Sequence, residues 1–232
     1  MKHIFIGDLH GRELWKIIDP KEHDKIVFLG DYVDSFDLTD RTIVNNLLDI
    51  IEFKKSYTDK VVLLWGNHDI QYFDFNNGNC SGYRPTCAAA LRTIFNSNAE
   101  LFQVAYECKD VLATHAGICE GWYEYSYKTH VEKRYPEEYS ISEILNDAFK
   151  GKNESLLEIG KKRGGWHHVG GPFWADSRDL NKLPDFGYKQ VVGHNQMEKI
   201  TERNDGNIVF VDCNWNHEEF LLVEDCFHKM DI

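Results

Sequence analysis

Asp, Asn and His residues recur in five short segments, each following a hydrophobic run: Gly7-Asp8-Leu9-His10-Gly11, Gly30-Asp31-Tyr32-Val33-Asp34, Gly66-Asn67-His68-Asp69, Thr114-His115-Ala116-Gly117 and Val192-Gly193-His194-Asn195. Carboxylate oxygen, amide oxygen and imidazole nitrogen suit Mn, Zn and Fe better than metals that prefer thiolate. A shared carboxylate can hold two such cations about 3.5–4 Å apart, where they acidify water and clamp the oxygens of an in-line displacement at phosphorus. Gly-Asp and Gly-Asn are common turn dipeptides, so one segment alone says little. The ordered set of five supplies most of a dinuclear site, as convergent catalysis in one cleft requires.

The elements that must position these residues follow from the runs. A strand over about 2–7 delivers Asp8 and His10, which point to the same side because they are two apart in extended chain. Strands over about 25–30 and 60–65 deliver Asp31 and Asn67-His68. The glycine opening each of these three segments permits close backbone approach and positive φ. A short helix with Leu14, Ile17 and Ile18 on one face lies between the first two strands, with Pro20 as its stop. A longer one over about 40–55 carries Ile43, Val44, Leu47, Leu48 and Ile51 on one face, with Asp40 as its cap. This β-α-β-α-β order predicts right-handed crossovers and a ligand site at the carboxyl ends of the strands. A further helix is predicted over 85–96. Strands follow over about 103–107, 110–114, 189–193, 207–212 and 218–223, the last two forming a hairpin around Asn214 and Asn216.

The five segments, in this order from residue 7 to residue 194, resemble the calcineurin-like metallophosphoesterases, and within them the serine/threonine phosphoprotein phosphatase branch and its bacterial relatives. The resemblance implies an α/β (α+β sandwich) fold, two mixed sheets packed face to face and flanked by helices. It implies two divalent or trivalent metal ions, with Mn the first choice and Fe or Zn accepted by the same donors. Asp8, His10 and Asp31 would hold one metal. Asp31, Asn67, His115 and His194 would hold the other, with Asp31 bridging. A metal-bridging hydroxide would be the nucleophile, His68 the general acid, and Asp34 the residue that orients His68.

Two details refine the match. Some branches have a second His at the last segment; here that place is Gln196, which looks like the phosphoprotein phosphatase pattern. Ser35 stands where those enzymes carry an Arg that holds phosphate. A guanidinium is the natural bidentate partner of phosphate oxygens, so another Arg is expected to take over. Arg84 and Arg178 are the candidates, with Arg12 and Arg163 weaker ones, and Trp174-Ala175-Asp176 looks like the family's Trp-Ser-Asp block. The expected activity is that of a phosphomonoesterase or protein phosphatase acting on a phosphorylated substrate. The alternatives are a dinucleoside polyphosphate hydrolase or a nucleotide or nucleic-acid phosphodiesterase, and, from a different class, a non-enzymatic scaffold that keeps the fold.

Bulk properties agree with an enzyme. A chain of 232 residues, 42% hydrophobic and 28% charged, suits one globular domain over 1–232. No apolar run reaches the ~20 residues of a membrane span, and the first residues do not read as a signal peptide, so the expectation is a cytoplasmic protein with no membrane partner. Lys and Arg total 26 against 38 Asp and Glu, a net charge of −12, which argues against duplex nucleic acid as partner. Six cysteines include no C-x-x-C pair and read as reduced thiols, with a Cys80–Cys87 bridge as the minor alternative. No Walker loop or G-x-S-x-G elbow occurs.

Residues 120–172 differ in character, rich in Tyr, Trp, Glu and Lys. Ser140-Ile141-Ser142-Glu143 reads as a capping box opening a helix through Phe149, ended by Gly151. The whole segment is expected to form an insertion or helical cap above the metal cleft. His167 and His168 between double glycines are read as surface or structural histidines.

Overall fold

The computed structural model describes residues 1–75, 80–213 and 220–224. The first half follows the alternation the sequence predicts: β1 (Lys2–Ile6), β2 (Lys25–Phe28), α1 (Asp40–Ser56), β3 (Val61–Leu64), the single turn α2 (Asn67–Ile70) and α3 (Ala88–Ser97). Next come β4 (Phe102–Gln103), β5 (Ala105–Cys108), β6 (Val111–Thr114), α4 (Glu120–Trp122) and α5 (Ile141–Lys150), then β7 (Lys189–Val192), β8 (Thr201–Arg203), β9 (Ile208–Phe210) and β10 (Leu221–Glu224). Among the described residues two five-stranded sheets result, ordered β10-β1-β2-β3-β4 and β5-β6-β7-β9-β8. Both are mixed: β1 to β4 and β6-β7-β9 are parallel, while β10, β5 and β8 run antiparallel to their neighbours.

The two-residue period of the strands sorts their side chains into two cores. Phe5, Val27 and Leu64 of one sheet pack with Val111, Ala113, Val191 and Val209 of the other, forming the layer between them. The alternate residues Ile4, Ile6, Ile26, Phe28 and Leu63 point outward under the helices, with Ile43, Leu47, Ile50 and Ile51 of α1 over them. This is the expected sandwich flanked by helices.

Several local expectations are corrected. The short segment before β2 is a 3-10 turn over Leu14–Ile17 in which Trp15 is buried and Ile17 is 72% exposed. Trp15 wins the inward position because its indole N–H reaches Asn46 Oδ1 of α1 at 2.9 Å, satisfying its polar end while the ring packs on Phe28. Thr39 rather than Asp40 caps α1: its hydroxyl accepts Thr42 N–H at 3.2 Å, while the Asp40 carboxylate is taken by Arg84 and Thr86. Leu48 is exposed, and Asn46 takes a place on the buried face. The final two strands do not pair as a hairpin, since β9 lies between β7 and β8 and β10 lies on β1 in the other sheet. The predicted turn residues Asn214 and Asn216 lie outside the described residues.

Within 120–172, α4 continues into a wide π-type helix over Tyr123–Val131. The capping box forms as expected: Ser140 Oγ accepts Glu143 N–H at 3.3 Å and Glu143 accepts Ser140 N–H at 2.8 Å. Asn146 of α5 holds the backbone of Val104 and Ala105, docking the helix beside β5. Cys80, Cys87 and Cys119 are free thiols. No described helix is long and apolar enough to cross a membrane.

Candidate metal centre and active site

Six strand ends carry polar residues into one cleft of about 270 Å³, lined by Asp8, His10, Asp31, Asn67, His68, His194 and Asp212 together with Cys80, Ser81, Arg163, Trp174 and Gln196. The loops after β1, β2, β3, β7 and β9 supply the first seven, and the loop after β6 brings His115 beneath them. Close backbone approach is required at two glycines. A Cβ on Gly66 would lie 2.2 Å from Asp31 Oδ1, and one on Gly193 would lie 2.3 Å from Asp8 Oδ1. Four site residues that are not glycine, His10, Asp31, Asp34 and His194, hold positive φ between 46° and 64°. Such strain concentrates where side chains must be aimed.

Two groups of donors form, Asp8-His10-Asp31 and Asp31-His115-His194, sharing Asp31. Asp31 Oδ2 lies 3.8 Å from His10 Nε2 and 3.5 Å from His115 Nε2, while its other oxygen accepts His68 N–H at 2.9 Å. Asn67 Oδ1 lies 2.8 Å from both His115 Nε2 and His194 Nδ1. His194 N–H in turn donates to Asp8 at 3.0 Å.

The tautomers test whether cations fit. His115 Nδ1 donates to Leu29 O at 2.7 Å and His10 Nδ1 donates to Val33 O at 2.9 Å, since a carbonyl can only accept. Burial holds His10 down at about 4 and His115 at about 3, and it also depresses His194. These imidazoles are therefore neutral, and the Nε2 lone pairs of His115 and His10 face the amide oxygen of Asn67 and the carboxylates of Asp8 and Asp31. Lone pairs converging at such distances are repulsive unless a cation sits among them. Burial also raises the carboxyls of Asp8 and Asp31, compounded by Asp212 at Asp8 and by Asp8 at Asp31, the mark of acidic groups packed for a counter-ion. The donor set fits two metal ions.

His68 stands at the edge of this cluster. Its ring lies edge-on to His10, and its Nδ1 is 3.0 Å from Asp34 Oδ2. The Asp34 carboxylate also accepts the Gln71 amide and the Tyr72 hydroxyl, the latter bonded to Arg84 N–H. All eight residues expected at the metals and the acid are thus brought together.

The expected phosphate-binding arginines lie elsewhere. Arg84 is tied to Asp40 and to the Ser35 carbonyl, in a shallow surface depression beside Phe36 and Tyr83. Arg178, 62% exposed in its side chain, pairs with Asp176 at 2.7 Å. Arg163 is the one described arginine lining the cleft. It is braced by Asp176 at 3.0 Å and by Asn195 at 2.5 Å, on a loop closed by the Gly160–His167 bridge. It is also the single residue of 120–172 on the cleft wall among those described. His167 faces Glu158 at 3.8 Å, outside the lining.

Sequence reasoning gave Asp69 no role and passed over Asp212. Asp69 accepts the backbone N–H groups of Gly66, Asp31 and Tyr32, locking two site loops together. Asp212 ends the apolar run Ile208-Val209-Phe210-Val211, the same signal that marked Asp8 and Asp31, and its Oδ1 is buried without a hydrogen-bond partner.

Comparison with known proteins places this arrangement. The family model for calcineurin-like phosphoesterases matches residues 1–211. No curated protein matches the chain. Among solved structures, the cold-active protein-tyrosine phosphatase of a psychrophilic Shewanella superposes with a TM-score of 0.63 at 16% identity, covering 97% of this chain and 75% of that one. A protein serine/threonine phosphatase from Saccharomyces cerevisiae gives a TM-score of 0.52 at 13% identity, covering 91% of this chain and 66% of that one. Those likenesses show the shared fold; the family match, over strands that end in the donor cluster, shows that the chain belongs to the calcineurin-like phosphoesterases, metal-dependent phosphoester hydrolases.

Proposed function

We propose that the protein is a dinuclear phosphomonoesterase that removes a phosphoryl group from a larger phosphorylated substrate, a phosphoprotein first. The observation that carries the dinuclear reading is the single oxygen Asp31 Oδ2 lying within 3.8 Å of one imidazole and 3.5 Å of another in the two donor groups. Asp8, His10 and Asp31 would hold one ion, and Asp31, Asn67, His115 and His194 the other. Mn is the first choice, and Fe and Zn suit the same donors. Bound there, the ions acidify water and neutralise phosphoryl oxygens.

The protein's own groups do the rest. His68 is the general acid. With Nδ1 donating to Asp34, its Nε2 is left to carry a proton to the leaving oxygen. Asp34, held by three donors, fixes that ring orientation. Arg163, rather than Arg84 or Arg178, is the phosphate clamp: Asp176 and Asn195 hold it at the cleft wall, so little side-chain freedom is lost on binding. A cleft of about 270 Å³ is smaller than the ~300–1,000 Å³ that encloses a whole organic ligand. It suits a phosphoryl group with the rest of the substrate outside. In this reading the 120–172 segment shapes substrate choice through the Arg163 loop.

The test is hydrolysis by metal-stripped protein refilled with Mn, offered a phosphomonoester, a phosphodiester and a dinucleoside polyphosphate side by side. Dominant monoester turnover supports the proposal. Dominant cleavage of either other substrate moves the assignment to nucleotides, and no turnover on any of them, with metal bound, sinks the enzymatic reading.

A further inference from the structure

Two buried side chains outside the donor set join the two halves of the site. Gln71, 2% exposed, closes the turn that begins at Asn67. Its Oε1 accepts Cys80 N–H at 2.7 Å, which settles which end of the amide is oxygen, and its Nε2 then donates to Asp34 Oδ2. Cys80 grips the other half. Asn67 Nδ2 donates to its sulfur at 3.4 Å, and its S–H donates to Asn67 O at 3.2 Å.

The consequence is a matter of amide orientation. The two ends of an Asn amide have nearly the same shape, and a flip exchanges acceptor for donor. With Nδ2 held at sulfur, Oδ1 is the atom presented to His115 and His194. An Asn flipped the other way would aim N–H groups at the metal position. Asp34 faces a similar choice: the Gln71 donor on Oδ2 and the Tyr72 donor on Oδ1 stop the carboxylate from turning away from His68.

We propose that Gln71 and Cys80 are positioning residues forming one strap, which fixes the Asn67 oxygen toward the metal donors and the Asp34 carboxylate toward His68. The proposal rests on the functional reading above. The strap acts at two separable points. Loss of its Cys80 end disturbs metal binding at the Asn67 side, and loss of its Gln71 end disturbs the acid.

The experiment uses the full chain, stripped of metal and titrated with Mn²⁺ by calorimetry, followed by steady-state hydrolysis of a phosphomonoester. Wild type takes two Mn²⁺. Cys80→Ala weakens one of the two by about 10–100-fold, the usual effect of removing a group that orients a ligand. Cys80→Ser, whose hydroxyl both donates and accepts, restores that affinity to within about threefold. Gln71→Met keeps both affinities but lowers kcat about tenfold with KM within about twofold. Wild-type Mn²⁺ affinities in Cys80→Ala, a Ser variant as weak as Ala, or an unchanged kcat in Gln71→Met would each overturn the strap. If Cys80→Ala does not fold, Cys80→Ser and Gln71→Met still decide it. Wild type that binds no Mn²⁺ would overturn the functional reading itself, whereas wild-type binding with unaffected variants overturns only the strap.

Discussion

His68 Nδ1 lies 3.0 Å from Asp34 Oδ2, and the backbone N–H of the same histidine donates to Asp31 Oδ1 at 2.9 Å. One residue thus orients the carboxylate shared by both donor groups and holds its own ring ready beside it. Replacing only the side chain separates these duties. His68→Asn should lower kcat by about 10²–10⁴-fold while both metals stay bound, because the backbone contact to Asp31 survives. Metal analysis beside steady-state kinetics checks this, and near-normal turnover would remove His68 from the acid role.

Asp31→Asn should behave differently. The shared oxygen Oδ2 serves both groups, so removing its charge weakens both sites together. Purified variant is expected to carry fewer than two metals per chain and to lose turnover with them. Two tightly held metals in this variant would refute the bridging role.

Arg163→Ala should raise KM for a phosphomonoester or lower kcat/KM by about 10–100-fold, the ~1.5–3 kcal/mol of a hydrogen bond to a charged group. Arg178→Ala, an exposed partner of Asp176, should change either parameter by about twofold at most. Equal losses in the two variants would mean that the Asp176 loop matters and the cleft guanidinium does not.

A pH effect is expected away from the cleft. His3 is buried beneath Tyr106, with Nε2 3.0 Å from the phenol oxygen, and burial lowers it from its ordinary value of 6.5. The unfolded chain therefore takes up the proton first. Stability falls as pH drops below 6.5, and this contribution levels off below the folded value. In His3→Gln the drop in melting temperature between about pH 7.5 and about pH 5.5 should be smaller than in wild type. An equal drop would show that other groups carry the dependence.

The donor cluster was readable because each member ends an apolar run, and parallel strands of neighbouring runs must bring their ends together. Asp212 obeys the same rule, ending the run Ile208-Val209-Phe210-Val211, but it belongs to none of the five segments. What periodicity could not reveal was decided by tertiary partners. Trp15 turned inward because Asn46 awaited its N–H. Among the described residues the short strand β8 has one neighbour, and it has an exposed Glu202 at its centre, so it leaves little hydrophobic signal. Asn67 and Asp34 were legible as chemistry, whereas Gln71 and Cys80, which hold them, carry no motif and emerge only as hydrogen bonds across nine residues of sequence.

Strand β10 lies antiparallel on β1, pairing Lys2 with Glu224 and Phe5 with Leu221. Nearly the whole described chain separates β1 from this outer neighbour, so β1 leaves the ribosome long before β10 arrives. Until then the strand that aims Asp8 and His10 presents an unpaired edge to the cell, the kind of surface on which nascent chains associate wrongly. Completion of this sheet is a late, long-range event, following synthesis of every strand that carries the donor cluster.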